Sequence, residues 1–253
     1  MMGVKKNTAL DSENVPNELE GCYHVYLDCG SNRGVQVQKL YEPELYPDVP
    51  VNTFFKKIFG KVAKRREVCS VGFEPNAKHT EYLKRIESSY NKCGYRTFFK
   101  VPTGLADYDG EGSYFSDNSK EFYEWGGGVI EKRVTSKANT GKVEIIRLVK
   151  YIKDIVNTRD TGASEQDLLS YNPPRVMMKI DIEGSEKDVL IDMALSGTLE
   201  IIDFAFIEYH DDHLTDPADR QKTEDARMVA NTLSKYSKYD ETYGLSDEPL
   251  PKC

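Results

Sequence analysis

No apolar run in the chain approaches the roughly 18–20 residues a membrane-crossing helix needs, so no membrane span is expected. The first stretch, Met1 to Glu20, is polar and has no apolar core of the signal-peptide kind. It reads as an arm, residues 1–22, ahead of one domain over 23–253. Cysteine is scarce and scattered. Cys22, Cys29, Cys69, Cys93 and Cys253 form no CxxC pair, and their spacing fits neither a disulfide framework nor a zinc site. They read as reduced thiols of a cytoplasmic protein, with Cys29 and Cys69 in the core. Positive charge is also short: 34 Lys and Arg against 42 Asp and Glu leave a net charge of −8. That argues against a nucleic-acid partner, which needs a basic surface. There is no internal repeat and no low-complexity tract.

What is present suits an α/β domain. Short apolar runs end in acidic or glycine-rich turns: His24 to Leu27 before Asp28-Cys29-Gly30, Val68 to Phe73 before Glu74-Pro75-Asn76, Thr97 to Val101 before Pro102-Thr103-Gly104, Val176 to Ile180 before Asp181-Ile182-Glu183-Gly184, and Ile201 to Ile207 before Glu208-Tyr209-His210. Helical patterns follow several of them, over Val35 to Tyr41, Lys78 to Cys93 and Ser185 to Ser196. A capping box from Ser185 to Asp188 is expected to open the last, and Gly197 to end it. Five buried runs alternating with helices predict a mostly parallel sheet with helices on both faces. Ligands of such sheets bind beyond the carboxyl ends of the strands, where all these turns fall. Two insertions break the alternation. Residues 42–66 carry three prolines and an amphipathic basic segment, read as a solvated helix packed by its apolar side. Residues 107–141 carry Tyr114, Phe115, Phe122, Tyr123 and Trp125 before three glycines, read as an irregular lid or substrate wall.

Asp28-x-Gly30-x-Asn32-x-Gly34 stands between a strand and a helix, where glycine lets backbone approach a ligand and free N–H groups are on offer. Glu74 ends the next strand, the place of an acid that accepts hydrogen bonds from both hydroxyls of a ribose. Nicotinamide enzymes share that logic but carry Gly-x-Gly-x-x-Gly, which is missing. Asp28 points instead to a cofactor with a positively charged amino-acid end.

Together, Tyr26-Leu27-Asp28-Cys29-Gly30-Ser31-Asn32-Arg33-Gly34, Gly72-Phe73-Glu74-Pro75-Asn76 and Met178-Lys179-Ile180-Asp181-Ile182-Glu183-Gly184-Ser185-Glu186 resemble the three signatures of the FkbM-type methyltransferases. Ile207-Glu208-Tyr209-His210 resembles that family's last common strand, so the resemblance covers roughly residues 24 to 213. It implies a Rossmann-like class I methyltransferase fold, S-adenosylmethionine as cofactor, and an O-methyltransferase acting on a hydroxyl, foremost of a sugar in a glycan or glycoside. A non-sugar small molecule or peptide acceptor, or an inactive Rossmann-like binding protein, are the alternatives. By the resemblance, Asp28, Gly30, Ser31, Asn32 and Gly34 hold the methionine portion, and Glu74 binds the ribose beside Pro75 and Asn76. Gly104, Leu105 and Ala106 border the adenine, with Asp107 near its amine, and Asp181 lies by the methyl group.

Methyl transfer from a sulfonium to a hydroxyl needs an oxygen in line with the S–CH3 bond and a base for its proton. His210, which follows the fifth strand and carries a side chain that titrates near neutrality, is the first candidate base. Asp181 is the second. Glu183 and Lys179 complete the expected catalytic set, although Glu183 and Glu186 also suit a helix start and Lys179 also suits pairing with Asp181 or Glu183. Tyr114, Tyr123, Trp125 and His213 are the candidate acceptor contacts. Glu208, His210, Asp211, Asp212 and His213, with Asp181, offer oxygen and nitrogen donors for Mg or Mn, but an exposed acidic loop is the commoner meaning of such a run, and no metal is expected.

Overall fold

The computed structural model describes residues 17–116, 127–129, 140–169, 173–210, 216–232 and 236–238. Its main sheet takes β1 His24–Cys29, β2 Val68–Phe73, β3 Arg96–Lys100, β7 Val176–Ile180, β8 Phe204–Ile207 and β9 Tyr236–Lys238 in the order β3-β2-β1-β7-β8-β9. Every pairing in it is parallel. β1 sits at the centre and is buried along its whole length, as are β2 and β7. A strand covered on both faces has no polar side to alternate with, which is why these runs are continuously apolar.

The pleat sorts the core into two layers. Val25, Leu27 and Cys29 of β1, with Val71 of β2 and Met178 of β7, face the helices α6 Glu186–Leu195 and α7 Pro217–Thr232 and the helical stretch 148–156, which begins with α4 Leu148–Tyr151. Tyr26 of β1 and Met177 of β7 face the other way, toward α1 Val35–Tyr41, α2 Val51–Phe59 and α3 Thr80–Lys92. The result is helices on both faces of a parallel sheet, as expected. A short α5 Glu165–Leu169 leads back toward β7. In the first insertion, Phe55 and Phe59 of α2 are buried, Phe54 stacks on Phe204, and Lys56 and Lys57 stay exposed, so this basic helix packs by its apolar side as predicted.

The structure departs from the sequence reading in several places. The third strand begins and ends one residue earlier than the apolar run suggests. The fifth begins only at Phe204, because Gly197 takes a left-handed φ of 71° and Thr198–Ile201 winds into a 3-10 turn. The second insertion is not wholly irregular. Thr103–Ala106 forms β4, Gly110–Phe115 β5 and Thr140–Arg147 β6, a separate three-stranded sheet ordered β4-β6-β5. The capping box is absent: Ser185 makes no side-chain cap bond.

The cysteine reading is overturned. Cys22 and Cys69 form a disulfide, Cys93 is also disulfide-bonded, and Cys29 is the free thiol among the described residues. Parallel pairing of His24 with Val68 brings the residues that flank them together, so Cys22 before β1 meets Cys69 in β2 with their Cα atoms 5.7 Å apart. Forty-seven residues of separation hid this pairing. With it goes the argument from reduced thiols to a cytoplasm-like compartment, since such bridges persist where conditions are oxidising. Among the described residues no helix is long and apolar enough to cross a membrane.

Candidate active site

The carboxyl ends of β1, β2 and β7 lie side by side, with Asp28 paired to Gly72 on one flank and Lys179 on the other. Each of these strands turns into a loop at that edge. After β1, Gly30 and Ser31 donate their N–H groups to Phe73 O, and Asp181 N–H donates to Cys29 O, so the three loops are tied together. Gly30 has φ +86°, and a Cβ there would lie 1.8 Å from the Asp181 carbonyl oxygen. Only glycine fits this crossing. Asn32 and Glu183 also hold left-handed backbone, at φ 48° and 61°. Asn tolerates that region; for Glu it is an uncommon conformation of the kind that clusters at functional loops.

The acids at this edge have distinct surroundings. Asp28 is fully buried, and neither carboxylate oxygen has a hydrogen-bond donor among the described residues. Burial pushes its pKa up to about 6, against the pull of Lys179 3.8 Å away. Glu74 accepts from Asn32 N–H at 2.6 Å and Asn76 N–H at 2.8 Å, tying the glycine loop to the end of β2. Burial outweighs those bonds and lifts it to about 7. Asn76 is buried, and its side chain accepts from Lys78 N–H. Pro75 lies between them, half-buried.

Lys179 is spent on structure. Its ammonium donates to Gly30 O at 2.7 Å and pairs with Asp181 at 2.9 Å. Burial pulls its pKa down, but Asp181 and Asp28 more than offset this and hold it above its ordinary value. It therefore props the loop, the pairing alternative that the sequence allowed for it.

His210 sits at the end of β8 and closes the site. Its Nδ1 is 2.9 Å from Glu186 Oε1, and its Nε2 faces Asp181 and Glu208 at 3.5 Å each and Glu183 at 3.7 Å. Burial lowers its pKa, but bonds to Glu186 and Glu208 and the charge of Asp181 raise it further, to about 9. The near-neutral titration expected of this side chain is thus displaced upward by its four carboxylate neighbours. Asp181, Glu183 and His210 each bring a donor atom within 4.8 Å of one another, close enough to meet on one cation. The counter-charge there comes first from the protein's own Lys179 and His210.

Other expected contacts fall differently. Ser31 is buried and donates to Asp28 O. Gly34, at φ +73°, leads into α1 and has Phe99 and Leu83 close above it. Thr103 N–H donates to Glu74 O, which sets the start of β4 beside Glu74, but the Leu105 side chain is committed to the core. Ala106 and Tyr114 are buried together with Val143 and Ile145, so Tyr114 is a core residue of the second sheet and not an open platform. Gly104 packs against Val129 and Ile145, and Asp107 is exposed. Residues 127–129 approach the loop after β7: a Cβ on Gly128 would meet Glu183 Cβ at 2.9 Å. Tyr123, Trp125 and His213 lie outside the described residues. Glu186, read from sequence as a helix-start acid, and Glu208, read only as a metal donor, are the site residues whose contacts were missed.

A model of the methyltransferase FkbM domain matches residues 28–238, from the first strand-end acid to the last strand of the sheet. The chain belongs to the FkbM methyltransferase family. No match is found among curated proteins or among solved structures.

Proposed function

We propose that this FkbM methyltransferase uses S-adenosylmethionine to methylate a hydroxyl group of a sugar, in a glycan or glycoside. The observation that carries the reading is the sign of the site. Asp28, Glu74, Asp181, Glu183, Glu186 and Glu208 gather at one sheet edge, with Lys179 and His210 as their cationic partners. An anionic dinucleotide is repelled there, whereas a cofactor with an ammonium and a sulfonium is attracted. The buried Asp28 carboxylate has unmet acceptor capacity for that ammonium. Glu74 keeps lone pairs for ribose hydroxyls beyond the two it gives to Asn32 and Asn76. Bound at this edge, the cofactor supplies a methyl group already activated for attack.

The acceptor side follows from the same residues. Asp181, Glu183 and Glu208 form a partly open acidic rim around His210. Carboxylates accept pairs of hydrogen bonds from neighbouring hydroxyls, which suits a neutral polyol better than an acidic molecule. A sugar hydroxyl needs its proton removed as the new bond forms. His210 Nε2 takes that proton, the freed oxygen pair bonds the methyl carbon, and the S–C pair returns to sulfur.

Two measurements test this. S-adenosylhomocysteine should bind in isothermal titration, and Glu74→Ala should weaken it by on the order of 10²-fold, as loss of a buried charged hydrogen-bonding group implies. Undiminished binding by that variant would sink the cofactor assignment. With labelled S-adenosylmethionine, a panel of methyl glycosides should accept label. Label taken up only by phenols, amines or peptides would remove the sugar.

A further inference from the structure

In a helix-start reading, Glu186 merely favours the first turn of α6. The structure gives its carboxylate three partners from two segments, the loop after β7 and the residues after β8. Oε1 accepts from Ile182 N–H and Oε2 from Gly184 N–H, both at 2.9 Å, and Oε1 also meets His210 Nδ1 at 2.9 Å. The side chain is 3% exposed, so no water competes for it. A carboxylate is an acceptor only, and its Nδ1 partner must therefore carry the hydrogen. In the neutral ring the lone pair then lies on Nε2, the nitrogen that faces the acidic rim.

We propose that Glu186 is the positioning residue for the methyl-transfer base: its carboxylate fixes the ring and tautomer of His210 so that Nε2 is presented to the acceptor hydroxyl. This rests on the methyl-transfer reading above. The same carboxylate shapes the loop that carries Asp181 and Glu183, because Ile182 and Gly184 flank the left-handed Glu183. One buried acid thus sets the base and the rim around it. The groups facing the imidazole are Glu186 from α6, Asp181 and Glu183 from the loop after β7, and Glu208 from the end of β8, with Lys179 acting on Asp181. Of these, Glu186 alone meets Nδ1; the other three face Nε2, the nitrogen that must receive the proton.

The test combines kinetics with spectroscopy. With the best acceptor of the methyl-glycoside panel, Glu186→Gln should lower kcat by on the order of 10²-fold, the lower range of general-base contributions. KM should hold, and S-adenosylhomocysteine affinity should stay within about twofold. The rising limb of the rate profile should move to lower pH, because the carboxylate that holds the His210 proton is gone. In a His210→Ala background the same substitution should cost nothing further. An equal loss in both backgrounds, or a parallel loss of cofactor affinity, would make Glu186 a purely structural residue and overturn the proposal. Nitrogen-15 spectra of histidine-labelled wild-type protein need neither an acceptor nor the Glu186 variant. Above about pH 9, where the shifted imidazole is neutral, they should show the remaining His210 proton on Nδ1, with the resonance assigned from the His210→Gln spectrum. A proton on Nε2 instead would overturn the proposal by itself. Failure of wild-type cofactor binding would strike the methyl-transfer reading and leave this tautomer result to stand separately.

Discussion

At Gly30 two independent demands coincide: left-handed backbone, and a neighbouring carbonyl 1.8 Å from where a Cβ would go. A flexible side chain can move aside, but Asp181 O is backbone, fixed by the bond from Asp181 N–H to Cys29 O. Gly30→Ala should therefore destabilise the fold by roughly 3 kcal/mol or more, beyond the usual range for one substitution, and a denaturant melt should show it; a change under about 1 kcal/mol would mean the loops are free to part. His210 makes the matching prediction for chemistry. Its proton is held to about pH 9, and only the deprotonated ring accepts a proton. The value of kcat/KM, which reports the free enzyme, should rise with pH through a midpoint near 9 and level off above it. A plateau already reached at pH 7 would remove His210 as base. The acids proposed to hold the cofactor run the other way. Asp28 and Glu74, at about 6 and about 7, lose their charge as pH falls through those values, so S-adenosylhomocysteine affinity should decline on acidification below about 7. Asp28, Glu74 and Asp181 were legible in the sequence because each ends an apolar run, and the parallel sheet aligns strand ends. The contact of Glu186 was not, because its partner His210 lies 24 residues away and is brought close only when β8 is laid beside β7.

Among the elements, the central strands were readable for the same reason that they are stable: burial on both faces leaves only apolar residues. The second sheet was not. β5 begins Gly110-Glu111-Gly112-Ser113, is largely exposed, and owes its strand form to pairing with β6 some thirty residues on. Such a strand carries no local signal, since its partner supplies the ladder. The Cys22–Cys69 disulfide has the same origin in long-range pairing, and it closes a long loop that includes α1, α2 and the first crossover. Restricting that loop in the unfolded chain should be worth about 2–4 kcal/mol. Cys22→Ser combined with Cys69→Ser should lower the unfolding free energy from a denaturant melt by that amount, and the midpoint with it, in non-reducing buffer, with little change in cofactor affinity because the bridge sits at the opposite end of β1 from Asp28. An unchanged midpoint would show that the loop is already confined without it.

For the whole molecule, the arrangement amounts to one acidic edge on an otherwise conventional parallel sheet, in a chain whose net charge is −8. On the proposed reading, a cationic cofactor entering that edge meets buried carboxylates that folding has already brought together, and it binds the native state alone. Its binding free energy therefore adds to stability, by about 2.7 kcal/mol at a hundredfold excess over Kd. For a chain of this size that corresponds to a rise in Tm of about 5–10 °C. S-adenosylhomocysteine should produce such a shift, and nicotinamide dinucleotides, which bring negative charge to the same edge, should not. EDTA should leave the shift intact, because Lys179 and His210 already stand among the carboxylates as counter-charges. Asp28→Asn should reduce it, since the amide keeps the shape of the site and loses the charge proposed to face the ammonium. An equal shift from a dinucleotide would mean that the sign of this edge does not select its ligand; a shift abolished by EDTA would mean that a metal ion, and not the protein's own cations, completes it.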